Sequence, residues 1–107
     1  MLAALAYGCK GFIGSTYNYA APLYHKIIEA FNKGDMETAR TLQQKSVQIV
    51  RLLNKYGGIA TGKAFMKIAG IDCGSFRLPL TNMTDEMFEN FVVDVQKLGL
   101  YDLLSKK

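Results

Sequence analysis

Residues that commonly hold metal ions or form disulfides are scarce in this sequence. It contains one histidine and two cysteines, Cys9 and Cys73, and the cysteines form no Cys-x-x-Cys pair. A structural zinc site needs four closely spaced cysteine or histidine ligands, so we expect no metal site. Isolated thiols are typical of proteins in a reducing compartment, which favours a cytoplasmic location.

Long apolar runs are also absent, although 50% of the residues are hydrophobic. No run approaches the roughly 18 residues that cross a membrane, so we expect no membrane contact. The opening MLAALAYG lacks the basic region and the cleavage site of a signal peptide. It is more typical of the last turns of a helix that ends at Gly8.

The positive charge is not concentrated in one segment. The formal net charge is +4, and the 13 Lys and Arg residues are spread from Lys10 to Lys107, with only Lys106 and Lys107 adjacent. Nucleic-acid-binding proteins more often place their basic residues on one helix or one face. The pattern therefore favours solvated helix surfaces and no nucleic-acid partner. A basic helical interaction or nucleic-acid-binding module is kept as the alternative from another class.

Apolar spacing, glycines and capping residues predict one short strand and several helices. The stretch KGFIGST, residues 10–16, is β-branched and bounded by glycines, which is typical of a buried strand. Helices are predicted from Pro22 to Gly34, from the N-cap Asp35 to Gly57, from about Thr61 to Ala69, and from the N-cap Thr84 to Gly99. The segment 72–82 contains Gly74 and Pro79 and is predicted to be a loop, with Arg77 fixing it through hydrogen bonds.

A single buried strand cannot satisfy its own backbone hydrogen-bonding groups. Each group left unpaired away from water costs about 1–3 kcal/mol. An apolar strand flanked by helices in sequence is typical of a parallel sheet covered by helices, and no second strand is predicted here. We therefore expect the chain to be the C-terminal portion of a larger α/β protein.

The stretch KGFIGSTYNY resembles the eighth strand of the N-acetylneuraminate lyase branch of the dihydrodipicolinate synthase superfamily of Schiff-base aldolases. Downstream features agree in order: EAFNKGDMETARTLQQKSVQIVRLL, the lysine-bearing GKAFMKIAGI, and FRLPL before the last helix. The resemblance covers essentially the whole chain. The string Gly14-Ser15-Thr16-Tyr17-Asn18 is specific for the lyase branch.

The resemblance implies a C-terminal fragment of a (β/α)8 TIM barrel. The chain would be mostly α-helical, with strand eight as one short β-strand near its N-terminus. Residues 1–34 would hold the end of helix seven, strand eight and helix eight, and residues 35–107 the C-terminal helical extension, in a single structural unit. The missing N-terminal barrel portion would be a partner, and the family usually forms homotetramers, so a homo-oligomer is expected.

The implied reaction is the retro-aldol cleavage of N-acetylneuraminate to pyruvate and N-acetylmannosamine through an imine on a lysine, with no cofactor. The runner-up is another pyruvate-dependent aldolase or a dihydrodipicolinate synthase-like enzyme. The family motifs that carry the imine lysine, the proton-transferring tyrosine and the carboxylate-binding loop do not occur in this sequence. Neither Lys63 nor Lys67 is assigned as the nucleophile, so we assign no catalytic residue and expect the chain alone to be inactive.

Three residues are assigned to substrate binding by the resemblance. Ser15 would lie at the carboxyl end of strand eight, where barrel active sites lie, and its hydroxyl would bond the polyhydroxyl tail of the sugar. Gly14 would leave room for the close approach of that tail. Ile59 aligns with an apolar pocket residue, although some family members have an aromatic there. The alternative for Ser15 is that it only caps the following helix, and for Ile59 that it packs at a helix end.

Overall fold

The computed structural model describes residues 1–106, and it is mostly helical, as predicted. The helices are α1 (Leu2–Ala6), α2 (Tyr17–Asn32), α3 (Met36–Lys55), α4 (Thr61–Ile68) and α5 (Asp85–Lys97), with short 3₁₀ turns at Gly58–Ala60 and Tyr101–Leu103. Helices α2 and α3 form the most extensive helix pair. No helix in residues 1–106 is long and apolar enough to cross a membrane.

The two predicted N-caps are confirmed. Asp35 Oδ1 accepts a hydrogen bond from Thr38 N at 3.1 Å at the start of α3. Thr84 Oγ1 accepts one from Met87 N at 3.2 Å at the start of α5. Each cap satisfies one of the backbone N–H groups that a helix leaves unpaired in its first turn, so local chemistry alone sets where α3 and α5 begin.

Helix α2 begins earlier than predicted and contains a kink. Ala20 has φ −129° and ψ 27°, outside the helical region, and Pro22 follows two residues later. Proline supplies no N–H and restricts the residue before it, so it interrupts the bonding of a continuous helix. The predicted start at Pro22 therefore corresponds to the regular part of α2 beyond the kink.

The predicted strand over residues 10–16 is not present, and residues 1–106 contain no strand. The backbone N–H groups of Lys10 to Ile13 donate to no backbone carbonyl within those residues. The side chain of Ile13 is fully exposed, at 104%, and that of Tyr7 is 91% exposed. A strand exists only when a neighbouring strand pairs with it, and these residues have no such neighbour here.

Four packed aromatic rings form the centre of the core. Tyr19 of α2 stacks on Phe65 of α4 with ring centroids 4.7 Å apart and planes 3° from parallel. Phe65 meets Phe91 of α5 edge to face at 4.8 Å, and Phe91 meets Tyr56 in the same way at 5.4 Å. Aromatic pairs of this geometry contribute about 0.5–1.5 kcal/mol beyond the area they bury. The rings therefore connect the start of α2, the end of α3, α4 and α5.

A polar contact joins α3 to α5 beside this core. Asp94 Oδ2 accepts hydrogen bonds from Lys55 Nζ at 2.5 Å and from the Tyr56 hydroxyl at 2.7 Å. The bond from Lys55, and then the bond from Tyr56, lower the pKa of Asp94 below its ordinary value. Because the folded-state pKa is lowered, the stabilisation is present above the ordinary carboxyl pKa of about 3.9 and is lost as the pH falls through the folded-state value.

We predict that Tyr56→Phe lowers the free energy of unfolding by about 1 kcal/mol at pH 7, since it deletes one hydrogen bond and keeps the ring. The difference from wild type should shrink as the pH falls through the lowered pKa of Asp94, because the protonated carboxyl group is a weaker acceptor. Urea denaturation at pH 7 and at a series of acidic pH values measures this. Tyr101→Phe, at a ring that is 45% exposed, is the control and should leave stability unchanged; equal effects of the two substitutions would contradict the prediction.

Candidate functional site

A shallow cavity of about 190 Å³ lies between the start of α2, α4 and the loop that follows α4. Ser15 and Ile59, two of the three predicted binding residues, both line it although they are far apart in the sequence. Its other lining residues are Asn18, Tyr19, Gly62, Lys63, Met66 and Phe76. The fold therefore brings together two residues that the sequence pattern alone could not place side by side.

Ser15 lies in the turn directly before α2 and is exposed. Its carbonyl accepts a bond from Asn18 N at 3.2 Å. The N-cap of α2 is Thr16, and no side chain caps this helix. The Ser15 hydroxyl therefore does not cap α2, in contrast to the alternative interpretation of this residue. That hydroxyl makes no hydrogen bond within residues 1–106, which leaves it able to bind a ligand.

Gly14 does not line the cavity. A Cβ at this position would lie 3.2 Å from the ring of Tyr17, closer than most real Cβ contacts. Its carbonyl accepts a bond from Tyr17 N, also at 3.2 Å. In this structure the space at Gly14 admits the Tyr17 ring into the turn before α2. A contact between Gly14 and a substrate stays a prediction.

Ile59 projects from the turn between α3 and α4. The turn needs glycine at two successive positions, Gly57 with φ +110° and Gly58 with φ +68°, because other residues rarely adopt these angles. This turn leaves the Ile59 side chain 73% exposed at the cavity. An exposed isoleucine beside the serine hydroxyl provides an apolar surface next to a polar group.

Tyr19 is the deeply buried member of the cavity lining. Its ring is only 2% exposed, and its hydroxyl has no hydrogen-bond partner among the described residues. Burial, and to a smaller extent the neighbouring Tyr24, raise the pKa of Tyr19 to about 12. The phenol is therefore neutral at physiological pH, and Tyr19 contributes a flat aromatic surface and no charge.

Some lining residues were missed at the sequence level. Ile59, Lys63 and Met66 recur three or four residues apart, a spacing that places side chains on one face when a helical turn continues into a helix. That periodicity is a signal that could have found Lys63 and Met66. Phe76 and Asn18 carry no comparable signal, because their places depend on how the loop after α4 and the start of α2 pack.

The loop after α4 is held by side chains other than the predicted Arg77. Lys63 Nζ donates to the carbonyl oxygens of Cys73 at 3.0 Å and of Ser75 at 2.8 Å. Asn82 binds both backbone groups of Phe76, at 2.6 and 3.1 Å. Within residues 1–106, no side-chain hydrogen bond from Arg77 fixes this loop, so the expectation for Arg77 is wrong.

The cavity has the chemistry of a binding surface. Its polar side chains are those of Ser15, Asn18 and Lys63, beside the buried hydroxyl of Tyr19. Its lining includes no carboxylate or imidazole that could act as a general base. Lys63 donates to two carbonyls, and Lys67 lies 4.8 Å from the ring centroid of Phe88. Of these two lysines, only Lys63 lines this cavity.

Comparison with known proteins identifies the family. Residues 1–98 match the dihydrodipicolinate synthetase family. The chain is 34% identical over 101 residues to N-acetylneuraminate lyase of Rattus norvegicus, covering 92% of this chain and 32% of that protein. It is 33% identical over 92 residues to 4-hydroxy-tetrahydrodipicolinate synthase of Mycolicibacterium paratuberculosis, covering 86% and 31%.

A solved structure agrees with the sequence matches. N-acetylneuraminate lyase of Proteus mirabilis is 43% identical, with a TM-score of 0.84 over 90% of this chain and 32% of that chain. The chain therefore spans about a third of the length of the relatives it matches. These similarities confirm the resemblance predicted from the GSTYN string and the downstream segments: the chain belongs to the dihydrodipicolinate synthetase family.

Proposed function

We propose that this chain is part of a class I aldolase that cleaves N-acetylneuraminate to pyruvate and N-acetylmannosamine, and that it provides one wall of the pocket for the sugar tail. The observation that carries the proposal is the shared cavity of Ser15 and Ile59. Membership of the family and the similarity to N-acetylneuraminate lyases support it.

The lining suits a polyhydroxylated tail. The Ser15 hydroxyl can donate and accept at once, and the amide of Asn18 offers both a donor and an acceptor, which matches what a sugar hydroxyl needs. Ile59 and Phe76 offer apolar surface beside these groups, as small-molecule sites commonly do. The cavity would thus bind the sugar tail, while the keto group of the same substrate would react at the imine lysine outside this cavity.

The imine lysine would lie outside this chain, in the barrel portion that the relatives possess in addition. The segment 9–14 supports such an assembly, because the backbone N–H groups of Lys10 to Ile13 are unpaired within the described residues and Ile13 is fully exposed. A segment with unpaired backbone groups can add to the edge of a sheet through main-chain hydrogen bonds. Residues 10–16 would become strand eight on joining a (β/α)8 barrel.

A second candidate is a dihydrodipicolinate synthase-like enzyme, favoured by the 33% identity to the synthase of Mycolicibacterium paratuberculosis. Both candidates would form the imine with pyruvate, and they differ in the second compound that the pocket must accept. Binding of a sugar tail in the cavity would distinguish the two candidates, since only the lyase must bind a polyhydroxylated chain. The basic residues are spread along the sequence and not gathered in one segment, which does not favour the basic nucleic-acid-binding alternative.

We predict that the 107-residue chain alone forms no covalent adduct with pyruvate on borohydride reduction. Lys63 Nζ is engaged with two backbone carbonyls and Lys67 Nζ lies over the ring of Phe88, and the family motif of the imine lysine does not occur in this sequence. Mass spectrometry of the intact chain and of its peptides measures this. A trapped adduct on either lysine would show that the nucleophile lies within this chain.

We predict that Ser15→Ala, in an enzyme assembled from this chain and the rest of the barrel, weakens binding of the sugar tail and leaves imine formation intact. Loss of one neutral hydrogen bond should cost about 0.5–1.5 kcal/mol, or roughly twofold to slightly more than tenfold in affinity. The loss should appear in KM if the bond is equally strong in the ground and transition states.

Two assays on the same variant test this prediction: KM for N-acetylneuraminate and the trapping of pyruvate, which lacks the tail. Ser75→Ala, at an exposed serine outside this cavity, is the matched control and should behave as wild type in both. If pyruvate trapping fails together with cleavage in Ser15→Ala, Ser15 supports the barrel and does not read the substrate.

A further inference from the structure

The loop between α4 and α5 has one side chain that turns inward. Residues 71–83 form no helix or strand, and among residues 71–82 only Phe76 is not exposed. Loops that carry function are commonly held on a rigid scaffold by a few contacts. The contacts of Phe76 show that this loop is held specifically around that residue.

The backbone of Phe76 is fixed by one amide side chain. Phe76 N donates to Asn82 Oδ1 at 2.6 Å, and Asn82 Nδ2 donates to the carbonyl of Phe76 at 3.1 Å. A paired bond of this kind imitates strand pairing and sets both position and orientation. Asn82 therefore closes the loop on itself at Phe76.

The side chain and the preceding residues are fixed by a single cation. Lys63 Nζ bonds the carbonyls of Cys73 and Ser75 and lies 4.5 Å from the centroid of the Phe76 ring. A cation over an aromatic ring is attracted by the ring quadrupole, and bonds from a charged donor are stronger than neutral ones. Lys63 thus anchors the loop to α4 on the side where the ring lies.

Lys63 and Phe76 also form a boundary between two cavities. Both line the cavity of Ser15 and Ile59, and both line a second cavity of about 230 Å³ under residues 72–75. No other residue is shared by the linings of these two cavities. Without the contact between Lys63 and Phe76, the two cavities would merge. The cavity of Ser15 would then lose the aromatic ring that forms part of its lining.

We propose that Phe76 is a specificity-determining residue for the tail of the sugar acid, and that Lys63 is the positioning residue that holds it. This inference rests on the proposed function of the cavity. The ring presents an apolar face opposite the C–H face of a bound sugar, while Ser15 and Asn18 bind its hydroxyl groups. Lys63 contributes by fixing the loop and not by reacting with the substrate.

The test is a titration of the full 107-residue chain with N-acetylmannosamine, monitored by NMR. The variants are Phe76→Leu, Lys63→Met, which keeps the aliphatic stem, and Lys63→Arg, which keeps the cation. Lys67→Met is the matched control, since Lys67 lies one turn further along α4 and lines only the second cavity. The ring-current shift of the Lys63 methylene protons reports the contact with Phe76 independently of any sugar.

In wild type, N-acetylmannosamine should shift the signals of Ser15, Ile59 and Phe76. Lys63→Met and Phe76→Leu should each weaken binding by about threefold or more, as expected when a fixed contact surface is lost. Lys63→Arg should restore binding, and Lys67→Met should equal wild type. Wild-type affinity in Lys63→Met and Phe76→Leu would overturn this inference alone, whereas no response of the wild-type chain would overturn the proposed tail site and this inference with it.

Discussion

The stack of Tyr19 on Phe65 is the contact on which the arrangement of the other elements depends. It joins the start of α2 to α4, and Phe91 and Tyr56 extend it to α5 and to the end of α3. Tyr19, Phe65 and Phe91 are almost completely buried. Closely packed rings cannot shift independently, so the contact fixes α4 relative to the turn that carries Ser15.

The candidate site depends on that contact. With Tyr19 against Phe65, the turn before α2 faces the 3₁₀ turn and the first residues of α4, and a cavity forms between Ser15 and Ile59. Lys63 then connects this rigid part to a loop that has no regular structure of its own. A binding surface assembled in this way combines a stiff base with one anchored loop, the arrangement that holds substrate-binding groups in place.

A feature could be predicted from the sequence when the residues that cause it are close together in the chain, and could not when they are far apart. Asp35 and Thr84 specify their helices through bonds three residues away, so local pattern was sufficient. Residues 10–16 carry a strand pattern, but pairing depends on a second strand, and none is present in residues 1–106. Ser15 was assigned from a motif, whereas its proximity to Ile59 depends on ring packing. No sequence pattern indicates that Lys63 anchors the loop, because its side chain binds backbone carbonyls, and every residue carries one.

The most direct test of the proposal is a chimera in which this chain replaces the matching third of N-acetylneuraminate lyase from Proteus mirabilis, where the TM-score of 0.84 and the 43% identity make the exchange feasible. Pyruvate release from N-acetylneuraminate is measured beside borohydride trapping of pyruvate alone. If the chain supplies the tail-binding wall, the chimera cleaves the sugar acid. A chimera that traps pyruvate yet cleaves no N-acetylneuraminate would contradict the assignment.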